Sequence, residues 1–314
     1  MSSDVSKAHT LGQRLIENIE RVIVDKDRVI RQTVTAVLVG GHILFEDVPG
    51  VGKTMLCRAL AKSIGGKFSR LQCTPDLLPS DLLGATIYER QSGEFKFRPG
   101  PVFSNLLLAD EVNRATPKMQ SALLECMEEH QATVGGTTHP LPEPFIVVAT
   151  QNPIEYEGTF PLPEAQLDRF SIKLRMGYPS PQAEAQMLED QQLAHPLESL
   201  EPICQAEEIR AAMKAVHAVH VGANVRQYIV AIVDATRCHP QVLLGASPRA
   251  SQTIYRLAQA QAVLDNRNFV IPDDVQSIAP SALSHRLLLR DSELGDSEQV
   301  ERVVAEILAQ VKVP

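Results

Sequence analysis

A short apolar run leads directly into a glycine loop in the first fifth of the chain. The run Ile43-Leu44-Phe45 is followed, from Asp47 onward, by the letters D-V-P-G-V-G-K-T. An apolar run of this length predicts a buried strand, and a loop of this kind predicts a tight turn into a helix. This order is typical of doubly wound α/β sheets, which bind their ligands at the carboxyl ends of the strands.

The glycines of this loop suit it to phosphate binding. Backbone N–H groups can converge on a phosphate only where no side chain blocks the approach, as at Gly50 and Gly52. Lys53 is predicted to reach the β- and γ-phosphates of a nucleotide, and the hydroxyl of Thr54 to bind Mg²⁺. A glycine-rich turn without a ligand is the alternative. The residues expected to contact the nucleotide are Gly50, Val51, Gly52, Lys53, Thr54 and Met55.

The first position of the loop departs from the usual pattern. Phosphate loops of this type begin with glycine, whereas this chain has Asp47. A carboxylate beside a triphosphate is electrostatically unfavourable. We therefore expect the Asp47 side chain to point away from the nucleotide, toward solvent or toward a neighbouring strand.

A second apolar run ends in two acidic residues. Leu106-Leu107-Leu108-Ala109 predicts a central parallel strand that stops at Asp110 and Glu111, 57 residues after Lys53. Mg²⁺ beside a triphosphate takes a carboxylate partner, and hydrolysis requires a group that orients water. We therefore assign Asp110 to Mg²⁺ through water and Glu111 to the attacking water. The alternative is an ordinary strand followed by a solvated helix cap.

A third apolar run, Phe145 to Ala149, continues into Thr150-Gln151-Asn152-Pro153. In a parallel sheet its polar tip lies beside the acidic pair. An amide at this place can hold the attacking water or a γ-phosphate oxygen, and we choose Asn152, with Gln151 as the second choice. The alternative is a plain asparagine-proline turn.

Two arginines complete the predicted site. Phosphoryl transfer spreads negative charge that a planar cation stabilises. Arg169 lies 17 residues after Asn152, and Arg249 lies at an expected helix start with Ser247 as cap and Pro248 in the first turn. Each is predicted to sense the nucleotide, and the alternative for each is a surface salt bridge.

The apolar spacing predicts five parallel strands separated by helices. The strands are expected at 43–46, 68–73, 105–110, 145–150 and 171–175. At 314 residues the chain exceeds the size of a comfortable single core, and the proline-rich stretch at 179–181 marks a boundary. We expect a nucleotide-binding domain at 1–179, a helical connector at 180–205 and a small helical domain at 206–314.

Two segments of the first domain interrupt the simple alternation of strands and helices. Residues 81–98 are too long for a plain connection and too apolar for the alternative, a disordered surface loop. Residues 131–141 contain the pair Gly135-Gly136 between two short polar strands, which predicts a hairpin.

Composition restricts the class of protein. The net charge is −8, with 38 acidic against 30 basic residues and no basic run, which disfavours non-specific nucleic-acid binding. The five cysteines form no C-x-x-C pair, which predicts free, partly buried thiols in a reducing compartment. The first residues have no signal-peptide pattern, and no apolar run is long enough to cross a membrane. We expect a cytoplasmic protein that reaches a membrane only through a partner.

Seven motifs follow one another along nearly the whole chain: G-G-H-I-L-F-E-D-V-P-G-V-G-K-T, C-T-P-D-L-L-P-S-D-L-L-G, F-R-P-G-P-V-F-S-N-L-L-L-A-D-E-V-N-R-A, A-T-Q-N-P, P-L-P-E-A-Q-L-D-R-F, G-A-S-P-R-A and I-P-D-D-V. In this ordered series the chain resembles the MoxR family of AAA+ ATPases. The resemblance implies a three-layer α/β/α P-loop domain with a five-stranded parallel sheet, followed by a helical lid. It also implies that the 81–98 insert and the 131–141 hairpin face the pore of a ring, where we expect them to touch or move substrate.

The same resemblance implies roles for the candidate residues. Lys53 and Thr54 correspond to the Walker A pair, and Asp110 and Glu111 to the Walker B pair. Asn152 corresponds to sensor 1. Arg169 resembles the arginine finger that acts on the nucleotide of the adjacent subunit. Arg249 resembles sensor 2, and its action on its own or on a neighbour's nucleotide stays open.

The implied function is that of an oligomeric, hexameric ATPase that uses ATP and Mg²⁺ to assemble, activate or remodel protein partners. A protein with a von Willebrand factor A domain is the candidate client, and no specific nucleic acid is expected. Two alternatives remain: an assembly switch that binds ATP with negligible turnover, and a DNA-acting motor.

Overall fold

The computed structural model describes residues 3–48, 50–91, 93–152, 159–190, 196–290 and 297–314. The strands, in chain order, are β1 (Ile43–Glu46), β2 (Phe68–Gln72), β3 (Gly84–Glu89), β4 (Glu94–Pro99), β5 (Leu106–Asp110), β6 (Gln131–Val134), β7 (Thr137–Pro140), β8 (Ile146–Gln151), β9 (Ile172–Leu174), β10 (Val242–Leu244) and β11 (Leu288–Leu289). The helices are α1 (Ser3–Glu20), α2 (Asp27–Val37), α3 (Lys53–Ser63), α4 (Pro79–Leu83), α5 (Pro117–Glu129), α6 (Glu164–Leu167), α7 (Pro181–Asp190), α8 (Ala206–His217), α9 (Ala223–Cys238), α10 (Pro248–Leu264), α11 (Pro272–Leu283) and α12 (Ser297–Gln310).

A five-stranded parallel sheet forms the centre of the first domain. Its strand order is β2-β5-β8-β1-β9, and each neighbouring pair runs in parallel. The prediction of five parallel strands is confirmed, with each strand within a residue or so of its expected place. Because β1 lies between β8 and β9, and β5 lies beside β8, the glycine loop and the acidic pair emerge at the same edge of the sheet.

Alternation along the strands produces three layers. Side chains of successive strand residues point to opposite faces of a sheet. Accordingly, Ile43 and Phe45 join one buried cluster, while Leu44 joins the other. The first cluster includes α1, α2, α3 and the C-terminal helices, and the second includes α4 and α5. The α/β/α arrangement expected from the sequence is therefore present.

Two antiparallel hairpins project from the first domain. Helix α4 and the β3–β4 hairpin occupy most of the 81–98 insert, so this insert is a helix and a hairpin in its described residues. The β6–β7 hairpin turns at Gly135 and Gly136, both with positive φ, as predicted. The two hairpins meet where Phe97 of β4 stacks on His139 of β7, with ring centroids 4.0 Å apart.

The link to the C-terminal helices corrects one expectation. The sequence predicts a helical connector at 180–205, but α7 ends at Asp190 and the described residues 196–205 are not helical. Pro196 and Pro202 account for this, because proline disfavours a helical residue before it and breaks the helical hydrogen-bond ladder. The segment instead packs on α3, where Ile203 N donates to Ser63 O at 2.9 Å. Residues 191–195 of the connector and 291–296 of the lid lie outside the described residues.

The C-terminal part is a small helical lid built from α8 to α12, with the short β10–β11 pair added. Tyr228, Ile229, Ile232 and Val233 of α9 lie in its core, as predicted. Helix α1 joins the lid to the first domain: Gln13 donates to the Leu264 carbonyl at the end of α10. No helix among the described residues is both long and apolar enough to span a membrane.

Candidate functional site

The glycine loop leads from β1 into α3 and leaves its backbone accessible. Gly50 and Gly52 have φ of 85° and 95°, in the left-handed region that favours glycine. Helix α3 begins at Lys53, so its unpaired N–H groups face the loop. Thr54 lies in this first turn. Val51 and Met55 are partly buried against the core cluster.

The side chain of Lys53 lies across the glycine loop. Its Nζ donates to the carbonyls of Asp47 at 3.0 Å and Val48 at 2.9 Å. Partial burial lowers the pKa of Lys53. The negative charges of Asp47, Asp110 and Glu111 oppose this shift, that of Asp47 most strongly. The ammonium group is therefore held between the loop and the acidic pair, where a phosphate would neutralise it.

Asp47 points away from the loop, toward the segment after β9. Its Oδ2 accepts hydrogen bonds from the backbone N–H of Met176 and of Gly177, the latter at 3.0 Å. The side chain was expected to point toward solvent or toward a neighbouring strand, and it points toward the end of the neighbouring strand β9. The carboxylate ties the start of the loop to the neighbouring segment and leaves the inside of the loop to its N–H groups.

Thr150 joins the two acids at the carboxyl edge of the sheet. Its hydroxyl donates to Asp110 Oδ1 at 2.6 Å and accepts from the backbone N–H of Glu111 at 2.8 Å. Glu111 has φ of 56°, so the backbone turns sharply after Asp110. Thr150 is 2% exposed and is not among the predicted site residues.

Strand β2 supplies two further side chains that sequence reasoning missed. Arg70 Nη2 binds Asp110 Oδ2 at 2.6 Å, and Gln72 Nε2 donates to Glu111 Oε2 at 3.0 Å. Arg114 forms an ion pair with the same Glu111 oxygen at 3.0 Å. The sequence signal for these contacts is the alternation of polar and apolar residues in R-L-Q of β2. The register of β2 with β5 places Gln72 opposite Asp110.

Asn152 follows β8 at the same edge, next to the acids and the loop. It is 8% exposed, and its carbonyl lies 3.5 Å from Nδ2 of Asn113. Gln151, the second choice, lies in register with Glu46 of β1. The sheet thus brings the glycine loop, both acids and Asn152 together.

Arg169 and Arg249 lie apart from these residues, and both form ion pairs with one carboxylate of α5. Glu128 lies 2.8 Å from Arg169 Nη1 and 3.4 Å from Arg249 Nη1. The Arg169 Nη1 also donates to the Leu124 carbonyl at 2.7 Å. Among the described residues, neither arginine forms an ion pair with Asp110 or Glu111. The cap predicted for α10 is confirmed, because Ser247 Oγ accepts from Arg249 N at 3.1 Å.

Comparison with known proteins agrees with this geometry. Residues 42–172 match the ATPase family associated with various cellular activities (AAA), and residues 234–307 match the AAA lid domain. The Chaperone MoxR1 of Mycobacterium tuberculosis is 43% identical over 98% of this chain and 84% of its own length. The chain belongs to the MoxR family of AAA+ ATPases.

Two further similarities cover this MoxR-family chain from end to end. The YeaC protein of Bacillus subtilis is 52% identical over 98% of this chain and 96% of its own length. A protein of Cytophaga hutchinsonii with a known crystal structure is 37% identical, covers 99% of this chain with 97% of its own, and superimposes with a TM-score of 0.89. The chain is therefore an ATP-binding, ATP-hydrolysing enzyme with an AAA+ domain and a helical lid.

The cysteines near the site of this MoxR-family ATPase are free and buried. All five cysteines are free, and only Cys238 is exposed. Cys73 follows β2 close to the acids, and burial, assisted by the charges of Asp110 and Glu111, raises the pKa of its thiol to about 12. Burial likewise raises the pKa of Cys57 in α3. Neither residue supplies a thiolate near neutral pH.

The donor set suits Mg²⁺ bound with a triphosphate. No cluster of three or more His, Cys, Asp or Glu in the described part of the chain could hold a metal ion by itself. Mg²⁺ prefers hard oxygen donors and usually takes one or two protein ligands together with phosphates and waters. The Thr54 hydroxyl and the Asp110 carboxylate fit that requirement, and Asp110 is oriented by Thr150 and Arg70.

Proposed function

We propose that this ATPase works as a ring, of six subunits, that hydrolyses ATP at subunit interfaces to assemble, activate or remodel protein partners. The observation that carries the proposal is the separation of the two groups of site residues. The glycine loop, both acids and Asn152 meet at one edge of the sheet, whereas Arg169 and Arg249 lie on Glu128. A second subunit would supply Arg169 to a nucleotide bound at the first.

Within one site the proposed roles follow from chemistry. The N–H groups of the glycine loop and Lys53 bind the phosphates, and Thr54 and Asp110 hold Mg²⁺. When bound there, Mg²⁺ would supply positive charge to the phosphates of the nucleotide. Glu111 orients the attacking water, and Asn152 holds that water or a γ-phosphate oxygen. From the neighbouring subunit, Arg169 stabilises the charge of the transition state.

The proposed client is a protein, and the family resemblance makes a von Willebrand factor A domain protein the first candidate. The exposed aromatic residues of the β3–β4 hairpin support a protein client, since Tyr88 is 57% exposed and Phe95 is 74% exposed. Exposed aromatic side chains are favoured at protein interfaces. A DNA-acting motor is not supported by the net charge of −8.

An assembly switch with negligible turnover is the second candidate. It is favoured by the contacts of Glu111, whose carboxylate is held by Gln72 and by Arg114. A glutamate held in this way must be released before it orients water. The two candidates share ATP binding and differ in turnover.

Mixing two inactive variants tests the interface mechanism. Glu111→Gln keeps the arginines but loses its own hydrolysis, whereas Arg169→Ala keeps the acids but lacks the finger. Each variant alone is expected to bind ATP and to lose turnover, and the wild-type rate per subunit is expected to rise with protein concentration. Mixed rings are expected to regain hydrolysis, because the Arg169 of one variant meets the intact Glu111 of the other.

Two other outcomes would reject the proposal. A rate that is independent of concentration and unaffected by Arg169→Ala would favour catalysis within one subunit. Negligible turnover at all concentrations, with tight ATP binding and an ATP-dependent change in oligomer size, would favour the assembly switch.

A further inference from the structure

Glu128 bridges two arginines that come from different domains. One carboxylate oxygen faces Arg169, which follows α6 in the first domain, and the other faces Arg249, in the first turn of α10 in the lid. The side chains of Glu128, Arg169 and Arg249 are 39%, 29% and 43% exposed. All three lie at the surface with enough solvent access to meet a ligand.

Each arginine keeps donors available. Arg169 uses Nη1 for both Glu128 and the Leu124 carbonyl, and Arg249 uses Nη1 for Glu128. Within the described ranges, no hydrogen bond involves Nε or Nη2 of either arginine. A guanidinium binds phosphate best through two parallel donors. Among the described residues, Glu128 therefore occupies one nitrogen of each arginine, and the Nε–Nη2 edge of each stays available for an anion.

We propose that Glu128 is a positioning residue that holds Arg169 and Arg249 together as one anion-binding unit for the nucleotide of the adjacent subunit. The physical reason is repulsion: two guanidinium groups brought close together repel, and flexible arginine side chains separate unless a negative charge lies between them. The unit also ties the lid to the interface, because Arg249 moves with the lid. This inference rests on the proposed function and gives the open role of Arg249 to the neighbour's nucleotide.

The test removes the charge of Glu128 and keeps its shape. Glu128→Gln is compared with Glu125→Gln, which lies one turn earlier on α5. Glu125 lines a small surface pocket together with Glu128 and Arg169, and in the described structure it forms no ion pair with either arginine. We expect Glu128→Gln to lower kcat about tenfold or more, because misplacing a catalytic group by about 1 Å can cost about two orders of magnitude in rate. We expect no change from wild type in the KM for ATP, the affinity for ATP, the melting temperature or the oligomer size. Glu125→Gln is expected to behave as the wild type in all of these measurements.

A double variant separates positioning from a general structural effect. If Glu128 acts through the arginine pair, the loss caused by Glu128→Gln is expected to be much smaller in an Arg249→Ala background, because the pair is already broken. Equal losses in both backgrounds, or a Glu128→Gln variant as active as Glu125→Gln, would overturn the inference. If Arg169→Ala retains full activity, the proposed function itself is wrong, so the two failures are distinguishable.

Discussion

Arg286 and Asp168 form a nearly buried ion pair across the junction between the lid and the first domain. The Arg286 Nε lies 2.6 Å from Asp168 Oδ1, and the Arg286 side chain is only 2% exposed. The same guanidinium donates to the carbonyls of Phe170 at 2.7 Å and Asp168 at 3.1 Å. This pair fixes the segment that carries Arg169, so the lid and the proposed finger share one attachment.

Removal of the acidic partner is expected to destabilise the protein. Asp168→Asn leaves the buried guanidinium of Arg286 without its counter-charge, which costs about 3–5 kcal/mol for a buried pair. Asp168 also accepts from Ser247 Oγ at 2.7 Å, so the start of α10 loses an anchor as well. Chemical denaturation measures the free energy of unfolding. Glu298→Gln is the control, because the Arg302–Glu298 pair is about 77% exposed and contributes little. Equal stability of the two variants would contradict the expectation.

Thr150 is expected to control hydrolysis more than binding. Thr150→Val keeps the shape of the side chain but removes the hydroxyl that orients Asp110 and accepts from the Glu111 backbone. We expect kcat to fall by a factor of about 10 to 100, the range seen when the partner of a metal-binding carboxylate is lost. ATP affinity without Mg²⁺ is expected to stay close to wild type. Thr150→Ser keeps the hydroxyl and is expected to retain most of the activity, whereas equal losses in both variants would exclude a role for the hydroxyl.

Most helices and strands of the fold could be predicted, because their local sequence patterns agree with the way they pack. β1, the glycine loop and α3 each have an unambiguous pattern, and the helices α8 to α12 follow their apolar spacing closely. The connector was harder, because its composition favours helix while Pro196 and Pro202 prevent it. The short β10–β11 pair has too few residues for a periodic signal.

The site was predictable in part, for a physical reason. Motif residues such as Lys53 and Asp110 lie in recognisable local patterns, whereas the residues that orient them come from other strands. Arg70 reaches Asp110 only because β2 pairs with β5 in one register, and Glu128 meets Arg249 only after the lid has packed. Such contacts depend on tertiary structure, which spacing along one chain does not contain.

Stability is expected to fall in mild acid because of a buried histidine. His42 accepts from Val147 N at its Nδ1 and lies 3.1 Å from the Met127 carbonyl at Nε2, so the neutral ring satisfies both contacts. Burial lowers the pKa of His42 to about 4. The unfolded chain binds the proton near its normal pKa of about 6.5, so between about pH 6.5 and 4 it holds more protons than the folded chain.

This linkage has a definite sign and a matched variant. The free energy of unfolding is expected to decrease as pH falls from about 6.5 to 4, by about 3 kcal/mol for this one residue. In His42→Gln the amide does not titrate, so that part of the slope disappears even though the variant is less stable throughout. Denaturation at several pH values measures both slopes. Parallel curves for the wild type and His42→Gln would show that His42 does not contribute.

The β3–β4 hairpin is expected to serve the client and not the fold. Tyr88 and Phe95 pack on each other, with ring centroids 5.3 Å apart, yet both are exposed. Phe97 on the same face stacks on His139 and meets Phe103 edge to face, so it supports the contact between the two hairpins. Changing Tyr88 and Phe95 to Ala is therefore expected to leave the melting temperature and the basal ATPase rate near wild type, and to weaken binding of a protein client at least tenfold, as loss of aromatic interface anchors does.

Phe97→Ala supplies the comparison, because it removes a packed ring from the same hairpin. We expect it to lower the melting temperature, since truncating a packed aromatic ring costs about 3 kcal/mol when the ring is buried and less at this half-buried site. Client binding by the Tyr88 and Phe95 double variant is measured by co-sedimentation with a von Willebrand factor A domain protein in ATP. Normal client binding by that variant would mean that the client contacts another surface, and a large drop in its melting temperature would mean that the exposed pair supports the fold after all.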